Sequence, residues 1–159
     1  MIEFFVPGVP RPGGSKRAFL NKHTGKANLV DASGEKGKDW RGDAKIFARQ
    51  AYKGSPLEGP LTLEVTFWMP RPKGHYGSGR NSDKLKESAP MWPVTKPDST
   101  KLIRSLEDAL TGLIWIDDAQ VVLQVISKEY ASKTQPPGAT VQVSIRQAER
   151  LAPSPCNSE

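Results

Sequence analysis

The sequence predicts a single α+β domain in which helices pack on one mixed β-sheet of about four strands. Segments with the alternating apolar pattern of β-strands lie near both ends and in the middle of the chain. Two segments between them place apolar residues at helical spacing. The length of 159 residues, with 36% hydrophobic and 25% charged residues, is typical of one globular domain.

The predicted elements follow the order β-α-β-α-β-β. A short strand at 2–6 precedes a stretch rich in glycine, proline and cations, which we expect to form a loop or a hairpin. Apolar residues at helical spacing predict a helix at 39–53. In the strand predicted at 60–70 every second residue is apolar, which indicates that one of its faces is buried.

A second predicted helix begins at Asp98 or Ser99, either of which can cap it, and stops at Gly112. Two strands follow, at 119–130 and 139–146, and we expect them to pair as a hairpin because a breaker-rich segment joins them.

Residues 1–146 are expected to form the domain, and residues 147–159 a flexible tail with little to bury. The N-terminus lacks a basic region followed by a long apolar run, and no stretch approaches a membrane span. The single cysteine, Cys156, excludes an intrachain disulfide and argues against a cysteine zinc site. These features fit a cytoplasmic protein with no membrane partner.

The net charge of +6 is unevenly distributed. Residues 11–53 hold eleven Lys or Arg and four Asp or Glu, whereas residues 96–118 hold three and five. A basic field indicates a polyanionic partner, and nucleic acid is favoured over membrane because no basic helix has a large apolar face. Solubility alone is the alternative explanation of the charge.

Two features of the basic residues favour a nucleic acid. The first predicted helix carries cations at four-residue intervals, which form one basic stripe. The segment 71–93 has no periodicity and mixes cations with aromatic residues, so it either grips a DNA strand or is a polar insertion. The candidate DNA-binding residues are Lys16, Arg17, Arg41, Lys45, Arg49, Arg71, Lys73, Arg80, Lys84, Lys86, Lys96 and Lys101.

The acidic residues gather around the second helix. A helix of this length spans roughly 20 Å, so Asp98 at its start and the pair Asp117 and Asp118 beyond its end cannot meet along one helix. They can meet if the next strand runs back along the helix, or if a second subunit supplies the other end. Asp98 alone is explained as a helix cap, and the pair alone as a turn. Asp108 lies where the helix dipole disfavours an anion, so it needs a cationic partner such as Arg104, or a metal.

Together these carboxylates predict metal-dependent phosphodiester chemistry. Carboxylates are hard oxygen ligands suited to magnesium, and manganese is expected to substitute. Bare carboxylates repel a phosphodiester, whereas carboxylates that hold divalent ions attract it and activate water. The cations around such an acidic island would hold the DNA backbone.

The same stretch resembles the RusA-type Holliday junction resolvases, which are common in phages and prophages. The resemblance covers residues 1–146 and rests on matching motifs at matching spacing, with similar segments upstream: "KPD" at 96–98, "DAL" at 108–110, Gly112 and "DDAQV" at 117–121. It implies a RusA-like fold and a magnesium-dependent endonuclease that acts as a homodimer on branched DNA and nicks two strands of a four-way junction. It implies no small-molecule cofactor.

The resemblance also assigns roles to individual residues. It maps the first motif acid to Asp98, the paired acids to Asp117 and Asp118, the basic residue on the helix to Arg104, and the acid at the helix end to Asp108.

One position departs from the family pattern, because Thr100 stands where a second motif acid is usual, followed by Lys101 instead of asparagine. A threonine hydroxyl can bind magnesium but adds no charge, so we expect weaker metal binding. Two functions stay open, an active nuclease and a weakly active or non-catalytic DNA-binding protein of the same fold. A metal-dependent hydrolase of small phosphates is disfavoured, because a small ligand needs a closed pocket.

Overall fold

The computed structural model describes residues 1–13, 16–20, 27–31 and 34–147, and only the backbone of 16–20, 27–31, 34, 35 and 38. Short 3₁₀ turns interrupt the loops at Lys73–His75, Gly79–Asn81 and Asp118–Gln120. The strands and helices are β1 Ile2–Pro7, β2 Lys16–Leu20, β3 Ala27–Asp31, α1 Gly34–Ala51, β4 Leu61–Met69, α2 Ser99–Leu110, β5 Val121–Tyr130 and β6 Gly138–Ile145.

A four-stranded mixed sheet with the order β1-β6-β4-β5 forms the centre of the domain. Strand β6 runs antiparallel to both β1 and β4, and β5 runs parallel to β4. The predicted α+β class with two helices on one mixed sheet is confirmed. Strands β2 and β3 form a separate antiparallel hairpin in the segment for which a loop or a hairpin was expected.

The predicted hairpin of β5 with β6 is wrong, because β4 lies between these two strands. Strand β4 is buried on alternate residues and pairs along both of its edges, so it takes the central place. The seven residues 131–137 that join β5 to β6 are enough to pass one intervening strand, since neighbouring strands lie about 5 Å apart.

The core lies between the two helices and one face of the sheet. Helix α1 contacts β1 and α2, and α2 contacts β5. The apolar stripe predicted for α2 is buried, and so is the alternating face of β4 that begins at Leu61. Trp115 beyond α2 is fully buried, and its indole N–H donates to the hydroxyl of Thr111 at 3.1 Å. Burial of this continuous apolar surface is the main stabilising term.

The helix boundaries differ slightly from those predicted. Helix α1 begins at Gly34 and ends at Ala51, against the prediction of 39–53. Within the described part of the chain, no helix has the length and apolar character that crossing a bilayer requires. Of the tail expected at 147–159, only Gln147 belongs to the described residues.

Strand β5 is an edge strand with an unusual surface. Among the described strands it pairs with β4 alone. Three apolar side chains near its start are exposed, Val122 at 59%, Leu123 at 39% and Val125 at 49%. A long apolar edge strand is a template for pairing with another strand.

Two glycines offer a test of the packing. A methyl group at Gly138 would overlap the carbonyl oxygen of Val6 and the ring of Phe5, so Gly138→Ala forces β1 away from β6. We expect it to lower the free energy of unfolding by about 1–3 kcal/mol. Gly42 in α1 has open space around it, so Gly42→Ala should leave stability unchanged or raise it by up to about 1 kcal/mol. Urea unfolding measures both variants, and equal stability of the two would contradict this packing.

Candidate active site

The acidic side chains lie at opposite ends of α2. Asp98 precedes the first residue of the helix. At the other end are four carboxylates that we call the acidic corner, namely Glu107, Asp108, Asp117 and Asp118.

Strand β5 runs back along α2, as one of the sequence alternatives required. The side-chain amide of Gln124 donates to the carboxylate of Glu107, and the ammonium of Lys128 donates to the carbonyl of Pro97 at 2.9 Å. However, Asp118 precedes β5, so the strand leads away from the acidic corner as it approaches Asp98. In the described residues no three His, Cys, Asp or Glu side chains converge to hold a metal ion.

Asp98 occupies the N-cap position of α2 without acting as a side-chain cap. Its side chain makes no capping hydrogen bond. The carboxylate instead lies 3.3 Å from the ammonium of Lys101, and both side chains are about half exposed, at 50% and 56%. An exposed ion pair contributes little to stability, so structure alone gives little reason for an acid at this position.

The two adjacent acids of the acidic corner have different environments. The carboxylate of Asp117 accepts from the backbone N–H of Ala119 at 2.8 Å and caps the turn at 118–120. Gln120 completes this capping box by accepting from the N–H of Asp117 at 3.0 Å. Asp118 is exposed and is positioned by this turn. A role in the turn therefore explains the presence of an acid at Asp117 better than at Asp118.

Glu107 is half-buried, whereas the other three acids of the acidic corner are exposed. Burial raises the pKa of this carboxyl, and the negative charges of Asp118 and Asp108 raise it further. The hydrogen bond from Gln124 acts in the opposite direction. The acidic corner is therefore crowded with negative charge that a cation would relieve.

The partner of Asp108 comes from the other helix. A guanidinium nitrogen of Arg41 in α1 lies 4.0 Å from the Asp108 carboxylate. Arg104, which the sequence suggested as the partner, is exposed on α2. The spacing of four residues within one helix could not reveal a contact that depends on how α1 packs on α2. Thr100 is exposed in the first turn of α2.

Basic residues border two cavities, one beside each end of α2. Arg41 and Lys45 line a cavity of about 290 Å³ beside Asp108. Lys96 and Lys101 line another of about 340 Å³ beside Asp98, together with Arg11. Each end of α2 thus combines carboxylates with cations. Arg49 is exposed on α1.

The segment 71–93 folds back on itself through backbone hydrogen bonds, such as that from the N–H of Gly77 to the carbonyl of Lys84 at 2.9 Å. Its Arg71 lies over the ring of Tyr130 at 4.0 Å, and Lys86 donates to the carbonyl of Gly74. The remaining candidates of this segment are exposed: Lys73, Arg80 and Lys84. The side chains of Lys16 and Arg17 lie outside the described part of the structure.

Some residues of the site were not predicted from the sequence. Glu107 was set aside because it is too far from Thr100 to replace an acid there, yet it belongs to the acidic corner at the other end of α2. Lys128 and Gln124 have the same parity in β5, and strand alternation could have assigned both to the face that meets α2.

The family model described as Endodeoxyribonuclease RusA matches residues 7–144 of this chain. The chain belongs to the RusA endodeoxyribonuclease family. This membership supports an endonuclease that resolves Holliday junctions. The RusA-family chain is also similar to a Bacillus subtilis (strain 168) protein named uncharacterized protein YqaN, with 33% identity over 149 residues, 92% of this chain and 96% of the relative.

Proposed function

We propose that this chain is a divalent-metal-dependent nuclease that cuts four-way DNA junctions by paired symmetric nicks as a homodimer in the cytoplasm. The observation that carries the proposal is the placement of the family's motif acids at both ends of α2, each beside a group of cations. Cations hold the phosphate backbone, and the acids supply the chemistry that the family name implies.

The side chains present fit a divalent cation by donor type. Exposed carboxylate oxygens are the ligands that magnesium prefers, and manganese suits the same oxygen donors. Asp98, Asp117 and Asp118 would hold the ion, with Asp108 and the hydroxyl of Thr100 as further donors. Such an ion would activate water and stabilise the leaving oxygen. Among the described residues of one chain no three acids converge, so we infer that one chain supplies only part of this set.

A second copy paired at the edge of β5 would complete the set. If two β5 strands pair antiparallel about a two-fold axis near Leu123, residues 121–125 of the two copies form the ladder, and the turn with Asp118 of one copy follows it on the side of Lys128 of the other. Lys128 donates to the carbonyl of Pro97, which directly precedes Asp98. Each dimer would then hold two equivalent centres, as two symmetric nicks require. The exposed apolar side chains of β5 would be buried in the same interface.

The other residues of the site have distinct roles in this proposal. Arg104 is exposed on α2 and would neutralise charge on the phosphate. The ion pair with Lys101 would help to orient the Asp98 carboxylate. Arg41, Lys45 and the cations of the segment 71–93 would hold the DNA arms.

A weakly active or non-catalytic DNA-binding protein is the alternative. The neutral Thr100 favours it, since the site then has one carboxylate fewer than the family pattern. The two functions differ in one measurable property, the dependence of cleavage on the acids.

Asp118→Asn should abolish cleavage of a four-way junction in magnesium and leave binding intact or tighter. Loss of a ligand should cost more than the about 10- to 100-fold that changes to outer-shell groups cost. Removing a negative charge cannot weaken the phosphate contacts. Asp117→Asn should reduce cleavage while keeping the turn, because asparagine also caps.

The measurement is a gel assay with junction and linear duplex, in magnesium or EDTA. Glu58→Gln, which changes an exposed carboxylate outside the acidic corner, is the matched control. Wild-type cleavage by both aspartate variants would exclude the proposed centre. A wild-type protein that binds junctions but never cuts them would favour the alternative.

Substitution on the edge of β5 should disrupt the dimer. In the double variant Val122→Lys, Val125→Lys, lysine replaces the apolar side chains that pairing would cover and places like charges of the two copies close together, so we expect a monomer that has lost cleavage. Ile46→Lys, at a side chain 54% exposed on α1, is the control and should stay dimeric. Light scattering gives the mass of each variant. A wild-type monomer, or a dimeric double variant, would contradict pairing through β5.

A further inference from the structure

Three large apolar side chains project from residues 91–94, in the long segment between β4 and α2. Met91 is 72% exposed, Trp92 is 56% exposed and Val94 is 83% exposed, whereas Pro93 between them is buried. We call Met91, Trp92 and Val94 the apolar tip. Single exposed apolar residues are ordinary, but a contiguous group of them indicates a contact surface.

The loop that carries the apolar tip is anchored on both sides. Before the tip, the guanidinium of Arg71 donates to the carbonyl of Pro90 at 2.9 Å. After it, the ammonium of Lys128 donates to the carbonyl of Thr95 at 2.8 Å. Arg71 also lies over the ring of Tyr130, the last residue of β5. Lys128 belongs to β5, and Arg71 packs on Tyr130 of the same strand. These contacts therefore hold the apolar tip in a fixed position relative to the sheet.

The surroundings of the apolar tip are cationic. Lys96 follows Val94 by two residues and lines the cavity beside Asp98 with Arg11 and Lys101. A partner that fits must combine a small flat apolar group with negative charge beside it. A nucleobase between two phosphates has this combination, whereas a protein partner would need a wider apolar area than one loop offers.

We propose that the apolar tip binds an unstacked base at the branch point of the DNA, with Trp92 stacked on its face. This inference rests on the proposed function, because it specifies what the nuclease recognises beside Asp98. Apolar wedges that enter between base steps unstack them, and unstacking is easiest where pairing is already interrupted. The tip would thus favour a branch over a continuous duplex, while the cations bind both.

The test uses a four-way junction with 2-aminopurine next to the branch-point base, so that the probe loses a stacked neighbour when that base unstacks and does not itself contact Trp92. A linear duplex with 2-aminopurine inside it is the comparison, and both are measured in EDTA. Wild-type protein should raise the fluorescence of the junction and leave that of the duplex unchanged. Trp92→Ala should lose about 10- to 100-fold in junction affinity, as expected for one stacked base, and lose the fluorescence rise. Its affinity for linear duplex should stay the same. Trp92→Phe keeps an aromatic face and should keep most of both signals.

Leu85→Ala is the matched control, because it shortens another exposed apolar side chain, 52% exposed, outside the apolar tip. It should behave as wild type. If Trp92→Ala keeps the junction preference and the fluorescence rise, or loses affinity for both DNAs equally, the inference is wrong while the proposed nuclease stands. A wild-type protein with no preference for junctions would overturn the proposed junction specificity and this inference with it.

Discussion

The parallel pairing of β4 with β5 determines where every carboxylate of the candidate active site lies. Parallel neighbours need a crossover, and α2 supplies it here. Asp98 is therefore fixed where the crossover helix begins, and Asp118 where the next strand is about to begin. The apolar stripe of α2 and the alternating face of β4 hold this geometry, because turning the helix would expose Leu106 and its neighbours. The separation of the acids is thus built into the core and is independent of flexible loops.

Electrostatics gives this separation a functional meaning. At the acidic corner burial raises the pKa of Glu107, the negative charges of Asp118 and Asp108 raise it further, and Arg41 lies beside Asp108. Asp98 at the opposite end has Lys101 beside it. Among the residues that the structure describes, neither end has three converging acids that would hold a metal in one chain. A second copy that brings the ends together would relieve the repulsion with a shared cation, and the exposed edge of β5 is the surface suited to that contact.

Much of the fold could be predicted from patterns within single elements. The pairing of strands and helices far apart in the sequence was the main source of wrong predictions. The buried stripe of α2 and the alternation of β4 could be predicted because each depends on the period of one element. The position of β5 in the sheet could not be predicted, because the sequence of residues 131–137 does not indicate which strand this connection passes. The same holds for Asp108, whose partner Arg41 comes from another helix. The motif acids were found by their spacing, but only the structure distinguishes Asp117, which caps a turn, from Asp118, which does not.

The most direct test of a centre shared between two copies mixes Asp98→Asn protein with Asp118→Asn protein. In a mixed dimer one centre carries both substitutions and the other carries neither. Each variant alone should be inactive. An equal mixture after subunit exchange should recover roughly a quarter of the wild-type centres, and each mixed dimer should nick one strand only. Tags of different mass on the two variants verify the exchange. A mixture that exchanges subunits but stays inactive would show that each chain builds its centre alone, and would contradict the shared arrangement.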